Sequence, residues 1–243
     1  MRFKLLTTIA AAALAFASAA HAQGKVELQW FAQSAFKLTT PEGKVDYIIV
    51  THAHGDHLGD SLSISKKNNA PVLGPAGMDQ KLANLGLLPA NLAPRMNKGG
   101  TFEPIPGLKI TQVHAEHSSE MIVKNAEGKD ESHEAGEPVG VIITLSNGFK
   151  IYHMGDTGLF SDMKFYGEKY KPDLLLIPIG GHYVMDPVDA AFATKEWVKP
   201  KMVLPMHYGT NPFLKGTPEE FKKALGTTTI QVLDMQPGDK KTF

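Results

Sequence analysis

Cysteine is missing from all 243 residues of the sequence. Its absence excludes cysteine nucleophiles, disulfide bonds, thiolate zinc sites and dithiol redox pairs. The strong metal ligands that remain are histidine, aspartate and glutamate, and the chain contains ten histidines. Any site that binds a metal ion is therefore built from imidazoles and carboxylates.

Arginine is nearly absent as well, since only Arg2 and Arg95 occur. Lysine plus arginine and aspartate plus glutamate each number 25, so the chain has no formal net charge at pH 7. Proteins that bind nucleic acids usually cluster arginine and carry a basic excess. We therefore expect no nucleic-acid partner and interpret lysine pairs such as Lys66-Lys67 as solvated surface.

Long hydrophobic runs are limited to the start of the chain. Arg2 and Lys4 precede an apolar run from Leu5 to Ala17, and Ala20-His21-Ala22 has the small residues of a cleavage site. The run is shorter than the roughly 20 residues that span a bilayer. We interpret residues 1–22 as a cleavable signal peptide, with an uncleaved anchor as the alternative. The protein is then expected to be periplasmic or secreted, with no membrane span after cleavage.

Residues 23–243 are expected to form one α/β domain, because predicted strands and helices alternate along them. Two blocks, each with strands followed by helices, predict two sheets packed face to face with helices outside. The polar stretch from Glu120 to Glu137 shows no periodicity, and we interpret it as a surface loop near the site. That loop is either a lid or an ordinary exposed insertion.

The most specific motif lies between Thr51 and Asp60, directly after a predicted strand, and reads Thr-His-Ala-His-Gly-Asp-His-Leu-Gly-Asp. In an extended segment His52 and His54 point to the same side, so they can share one ion. Asp56 and His57 follow where the chain turns into a helix. This spacing predicts a metal-binding loop that can serve two ions.

Four further polar residues also follow predicted strands. The strands are Leu108 to Val113, Lys150 to His153, Asp173 to Ile179 and Met202 to Met206, and the residues are His117, Asp156, His182 and His207. Loops at one edge of the sheets of a layered α/β protein lie close together, so residues far apart in sequence can converge there. We therefore expect these side chains to join the histidine motif.

The sequence resembles the metallo-β-lactamase superfamily and, within it, the ascorbate-6-phosphate lactonase-like group of metal-dependent hydrolases. Five blocks carry the resemblance: residues 30–36 (Trp-Phe-Ala-Gln-Ser-Ala-Phe), 51–60, 117–119 (His-Ser-Ser), 152–164 (beginning Tyr-His-Met-Gly-Asp-Thr-Gly) and 205–208 (Pro-Met-His-Tyr). The likeness spans nearly all of residues 23–243. It implies an αββα sandwich of four layers.

The resemblance also implies a role for each candidate ligand. His52, His54 and His117 would bind one ion, Asp56, His57 and His207 would bind the other, and Asp156 would bridge the two. His114 competes with His117, which we favour because Ser118 and Ser119 match the block that follows it. His182 resembles a position facing the substrate, with a histidine bonded to nearby backbone as the alternative, and His153 belongs to the surroundings of the site or the core.

One departure from the resemblance lies before the histidine motif. Relatives have a further strand ending in Asp-Pro and a long loop there, whereas here Thr39 to Lys44 leads straight into Val45. About two dozen residues, including one N-terminal strand and its loop, are absent by this comparison. None of the candidate ligands falls in that segment, whereas the resemblance implies that one strand and one wall of the cleft do.

The donor set favours two Zn²⁺ ions, with Mn²⁺ or Fe²⁺ as alternatives. Two ions of this kind bring the pKa of a bound water towards 7. We predict hydrolysis of a lactone or ester in a small molecule, with Asp56 or Asp156 accepting the proton and His182 stabilising the oxyanion. A metal-dependent phosphodiesterase and a periplasmic metal-binding protein without catalysis are the alternatives. The sequence leaves homo-oligomerisation open.

Overall fold

The structure, a computed structural model, describes residues 25–42 and 47–243. The predicted signal peptide and the start of the strand that we predict before Thr51 lie outside the described residues. Within the described ranges no helix is both long and apolar enough to cross a membrane.

The N-terminal sheet consists of two pieces, and the strands of each piece are hydrogen-bonded among themselves. Strands β1 (Glu27–Trp30) and β2 (Phe36–Thr39) form a hairpin, and the C-terminal strand β14 (Lys240–Thr242) pairs with β1 on its other side. Strands β3 (Ile48–Ile49) and β4 (Val72–Leu73) pair in parallel in the second piece. The histidine motif begins just beyond β3, so this piece places its residues.

The central sheet contains seven strands in the order β13-β12-β11-β10-β9-β6-β5. Their bounds are β5 Thr101–Ile105, β6 Leu108–His114, β9 Val139–Thr144, β10 Lys150–His153, β11 Leu174–Pro178, β12 Met202–Met206 and β13 Gln231–Val232. Strands β10 to β13 are parallel, and β5, β6 and β9 continue the sheet antiparallel. Strand β11 is buried along its whole length, as expected for a parallel strand covered on both faces.

In the described part of the chain, six α-helices lie on the outer sides of the sheets. They are α1 Gly55–Leu58, α2 Ser61–Asn68, α3 Met78–Asn84, α4 Asp162–Tyr170, α5 Pro187–Phe192, which continues as a π-helix over Ala193–Val198, and α6 Pro218–Leu225. The start of α6 is fixed by its sequence. Thr217 and Glu220 form a capping box, and proline occupies the first turn.

The layers follow from how the apolar side chains alternate. In β11, Leu174 and Leu176 face the N-terminal sheet and pack with Leu28 and Trp30 of β1. The intervening Leu175 and Ile177 face the other way and pack under α4, α5 and α6. A separate cluster joins α1 and α3 to β3 and β4. The layers therefore form an αββα sandwich, which confirms the predicted fold class.

The stretch from Glu120 to Glu137 is a hairpin, not the loop that we predicted. Strands β7 (Glu120–Lys124) and β8 (Asp130–Glu134) pair antiparallel. Asn125 shapes the turn, since its side-chain oxygen accepts hydrogen bonds from the backbone N–H groups of Glu127 and Lys129. Met121 is buried against the α1–α3 cluster. Few apolar residues mark this hairpin, because most of its side chains face water.

Candidate metal centre

The first ligand group, which we call the histidine group, consists of His52, His54 and His117, and the ligand atoms of these residues lie within 4.8 Å of one another. His52 Nε2 is 3.0 Å from His54 Nδ1. The ring of His117 lies 5.0 Å from each of the other two rings. The structure thus brings together the three residues that the resemblance assigns to one ion.

The second group, the mixed group, consists of Asp56, His57, Asp156 and His207, whose ligand atoms also lie within 4.8 Å of one another. His207 Nε2 is 3.3 Å from Asp56 Oδ2 and 3.0 Å from Asp156 Oδ2. His57 Nε2 is 3.1 Å from Asp156 Oδ1. Asp156 follows β10 and His207 follows β12, so the central sheet supplies two of these side chains.

Both groups fit a divalent cation. Ligand atoms held tetrahedrally about 2.0–2.1 Å from Zn²⁺ lie roughly 3.3–3.4 Å apart, and the atom–atom distances above, 3.0–3.3 Å, are close to that spacing. His57 Nε2 and Asp156 Oδ1 are buried and, despite their proximity, make no hydrogen bond with a described residue. Two orphaned buried atoms that face each other are typical of ligands that converge on an ion.

Thr51 supports one histidine from each group. Its Oγ1 lies 3.1 Å from His52 Nδ1 and 3.3 Å from His57 Nδ1, and the residue is buried. With both Nδ1–H groups donating to this hydroxyl, the two Nε2 atoms keep their lone pairs. This role was not predicted from the sequence, although Thr51 is the first residue of the motif.

Glu120, at the start of β7, was also missed. Its Oε2 lies 2.9 Å from His54 Nε2 and accepts a hydrogen bond from Ser118 Oγ at 2.9 Å. Because His54 Nε2–H donates to this carboxylate, Nδ1 is the atom left to face His52 and His117. The contact with His54 holds the pKa of Glu120 below its usual value, so the acceptor is charged. A carboxylate in this position orients a metal-binding histidine.

The charges differ between the two groups. Burial, together with the neighbouring His57, lowers the pKa of His52 to about 2, which keeps this ring neutral. Burial alone would raise the pKa of Asp156, but contacts with His207 and His57 outweigh it and hold that pKa well below normal. The contact with His207 lowers the pKa of Asp56 to about 2. Both carboxylates are therefore ionised at neutral pH.

His207 is the counterpart of these carboxylates. Burial opposes its charge, but the contacts with Asp156 and Asp56 are stronger and raise its pKa to about 9. Without a metal ion, this imidazole is therefore protonated at pH 7, and a cation that binds here replaces that proton.

Gln33, in the turn between β1 and β2, closes one side of the mixed group. Its backbone oxygen accepts hydrogen bonds from Trp30 Nε1 and from the backbone N–H of His207, at 3.0 and 3.3 Å. Its side-chain Nε2 lies 3.4 Å from Asp56 Oδ2. Ala32 and Gln33 have φ angles of 97° and 47°, which are strained for residues other than glycine. Such strain is common beside functional groups.

Three further histidines of the described ranges lie outside both groups. His114 contacts Glu116 and Phe160, so His117 is the one that joins the cluster. His153 donates through Nε2 to the backbone oxygen of Ser34, in line with a place around the site. His182 is exposed and stacks on Phe213, with ring centroids 5.0 Å apart. The structure places it in neither group, so its role at the oxyanion stays a prediction.

Comparison with known proteins agrees with this geometry. A profile of the β-lactamase superfamily domain matches residues 24–208. A UPF0173 metal-dependent hydrolase of Polaromonas sp. is 51% identical over an alignment that covers 98% of this chain and 97% of the relative. The chain belongs to the UPF0173 family of metal-dependent hydrolases in the metallo-β-lactamase superfamily. It is accordingly a metal-dependent hydrolase.

Solved structures of similar proteins support the same conclusion for the fold. Igni18, a metallo hydrolase from the archaeon Ignicoccus hospitalis, is 34% identical with a TM-score of 0.75, covering 90% of this chain and 98% of Igni18. YhfI from Bacillus subtilis, a metallo-β-lactamase fold protein, is only 14% identical but has a TM-score of 0.64, covering 90% of this chain and all of YhfI. The UPF0173 chain therefore has the superfamily's architecture.

The alignment with the UPF0173 relative from Polaromonas contains gaps in this chain. The alignment runs over 266 positions, more than the 243 residues of this chain. At least 23 positions of the alignment thus have no residue of this chain. That surplus has the size of the segment that the resemblance indicates is absent.

Proposed function

We propose that this UPF0173 protein binds two divalent metal ions and hydrolyses an ester or lactone bond in a small molecule. One observation carries the proposal: Asp156 Oδ2 lies 3.0 Å from His207 Nε2 in the mixed group and 3.8 Å from His117 Nε2 in the histidine group. A carboxylate between two groups of ligands is what a bridged pair of ions requires. The likeness to the lactonase-like group favours a lactone over other esters.

In this mechanism the bound ions would supply a water of lowered pKa and polarise the carbonyl group. The protein's own groups do the rest. Asp56 is ionised and about half exposed, so it can accept the proton of the attacking water on the open side of the site. Gln33 holds Asp56 through its side-chain amide. His182 lies on the loop that follows β11, next to the strand that leads to His207. It is the proposed donor to the developing oxyanion.

The test is a substrate panel on metal-analysed protein. We expect two equivalents of metal, with Zn²⁺ favoured by the all-nitrogen and oxygen donor set, and turnover of lactones that His207→Ala abolishes. Turnover of phosphodiesters but not of lactones would show that the protein is a phosphodiesterase and not a lactonase. Two bound equivalents with no turnover of either substrate class would leave a metal-binding protein without catalysis and would refute the proposal.

We also propose that the protein is exported, because residues 1–22 have the pattern of a cleavable signal peptide. Expression of the full chain in a Gram-negative host should give a periplasmic protein whose N-terminus begins after Ala22. A cytoplasmic product that still begins at Met1 would contradict export. An uncleaved product in the membrane fraction would support the anchor instead.

A further inference from the structure

A cavity with a volume of about 390 Å³ lies beside the loop that carries His207. Two loops form its walls: one continues from β11 through His182, and the other continues from β12 through His207 to Gly216. In the central sheet β11 and β12 are parallel neighbours, with Pro178 opposite Met206. Both loops therefore leave the same edge of the sheet at which His207 joins the mixed group.

The two loops are tightly joined at their base. A side chain on Gly180 would meet the backbone oxygen of His207 at 2.4 Å, so the cavity and the ligand loop are in backbone contact. The N–H of Gly216 donates to the backbone oxygen of Gly180 at 3.0 Å, and Gly209 is bonded to Leu214 within the second loop. The cavity is thus held at a fixed place next to the ion-binding residues.

Three exposed aromatic rings cluster here: His182 and Phe213 line the cavity, and Tyr183 packs against both of them. Phe213 is 52% exposed and Tyr183 is 48% exposed. The ring of His182 stacks on Phe213 at 5.0 Å and 22°, and meets Tyr183 edge-on at 4.4 Å. His182 has φ 57°, so the backbone is strained where it presents these rings. Adjacent exposed aromatics on anchored loops are typical of a binding surface.

The charges around the cavity narrow the choice of ligand. An aromatic cluster can bind a cation, but Lys215 lines the same cavity. The carboxylates in the lining are already engaged: Asp186 accepts from the backbone N–H groups of Val188 and Asp189, and Glu220 accepts from that of Thr217. The lining carries two carboxylates, both held by backbone N–H groups, and one lysine, so it offers no strong net charge to a ligand and suits an uncharged ring.

We propose that His182, Tyr183 and Phe213 bind a flat ring in the substrate, so that the preferred substrates are aromatic or ring-fused esters and lactones. This inference rests on the proposed hydrolysis and adds its substrate class. The ring stacks against Phe213 while the bond to be cleaved lies towards His207. Tyr183 and His182 border the ring.

The kinetic test compares two lactones with the same six-membered ester ring, dihydrocoumarin and δ-valerolactone, of which only the first carries a fused benzene ring. We expect the zinc-loaded enzyme to have a lower KM for dihydrocoumarin. Phe213→Ala should reduce that preference about 3- to 10-fold, the range expected for one stacking contact. Phe165→Ala is the matched control, since Phe165 is 53% exposed on α4 and does not line the cavity.

A binding test separates this inference from the proposed function. Saturation-transfer NMR on the same protein would compare 1-tetralone with cyclohexanone, neither of which can be hydrolysed. Stronger binding of 1-tetralone that Phe213→Ala weakens supports the ring site, even if no lactone is turned over and the proposed function fails. Lactone turnover with no preference for the fused ring in either test overturns the ring site alone. A Phe213→Ala variant that changes only the oligomeric mass would assign these rings to an interface between copies and overturn it too.

Discussion

The two ligand groups contain similar side chains but are supported by different parts of the molecule. In the mixed group, His57, Asp156 and His207 have side chains only 3–4% exposed, and two of these residues follow strands of the central sheet. The histidine group depends on a peripheral hairpin, because His54 is 29% exposed and its partner Glu120 is 43% exposed. Burial and charge pairing therefore hold the mixed group, of which only Asp56 is substantially exposed. In the histidine group, Thr51 supports the buried His52, while an exposed carboxylate steadies His54.

The largest effect is expected at the residue that both groups share. Asp156→Asn keeps the volume of the side chain but removes the charge that faces His207 and lies near His117. We expect kcat/KM to fall by more than about 100-fold, beyond the usual 10- to 100-fold cost of removing a supporting contact, and both ions to be lost. Metal content and lactone kinetics measure this.

Asp162→Asn is the control for that change, because Asp162 lies in the first turn of α4 away from the ligands. If Asp156→Asn loses one ion and retains the other, Asp156 does not serve both groups and the proposed bridging role is wrong.

A smaller and one-sided effect is expected at the hairpin. Glu120→Ala removes the acceptor for His54 Nε2–H and should weaken binding to the histidine group by about 10- to 100-fold. Glu120→Gln retains an oxygen acceptor and should recover part of the loss. Calorimetric titration of metal-free protein would resolve the two binding steps.

Glu127→Ala, on the same hairpin but paired only with Lys129, should leave both steps unchanged. Equal weakening of both steps by Glu120→Ala would break the comparison, because it would mean that the hairpin supports the two groups alike.

The pH dependence should also separate the groups. His207, with a pKa of about 9, must lose a proton when the mixed group binds an ion, so its affinity should rise about tenfold per pH unit below pH 9. His52 is neutral, and burial lowers the pKa of His117 as well, so neither of these rings adds a comparable dependence. Titrations in buffers of different ionisation enthalpy would count the released protons.

The raised pKa of His207 also affects the stability of the metal-free protein, which should fall as the pH rises. Because the pKa of His207 is raised above its unfolded value, its contribution to stability is complete below about pH 6.5 and disappears as the pH rises through 9. A metal-free protein that becomes more stable between pH 7 and 9 would contradict this assignment of the proton to His207.

The smallest effect concerns the turn beside the mixed group. Ala32→Gly relieves a left-handed backbone conformation and should stabilise the protein by about 0.5–1 kcal/mol, since the strain of roughly 1–2 kcal/mol is partly offset by the entropy of glycine. Thermal unfolding should show a Tm increase of about 2 °C. Ala35→Gly, whose backbone is not in that region, should lower Tm. An Ala32→Gly variant less stable than wild type would show that the turn is not strained.

Much of the site could be predicted, because its residues either lie close together in the sequence or directly follow predicted strands. His52, His54, Asp56 and His57 lie within six residues, so the backbone geometry of that segment alone places them together. Asp156 and His207 could be expected at the same edge because parallel strands end there. Their assignment as ligands stays a prediction that the metal titrations test.

The supporting residues could not be predicted in the same way. Glu120 lies 66 positions from His54, in a stretch too polar to show a strand pattern, and its contact exists only because Met121 and Ala135 anchor the hairpin in the core. Gln33 reaches Asp56 from a turn whose backbone is strained. Neither contact leaves a periodic or spacing signal in the sequence.

By itself the sequence determined the αββα class, the histidine motif and the chemistry of nitrogen and oxygen donors, because alternation, spacing and the lack of cysteine are properties of short segments and of composition. Only the tertiary structure decided that His117 and not His114 joins the cluster, that a hairpin carboxylate orients His54, and that His182 lies with Phe213 in a cavity of its own. Those outcomes depend on how distant segments pack, and packing is a property of the whole folded chain.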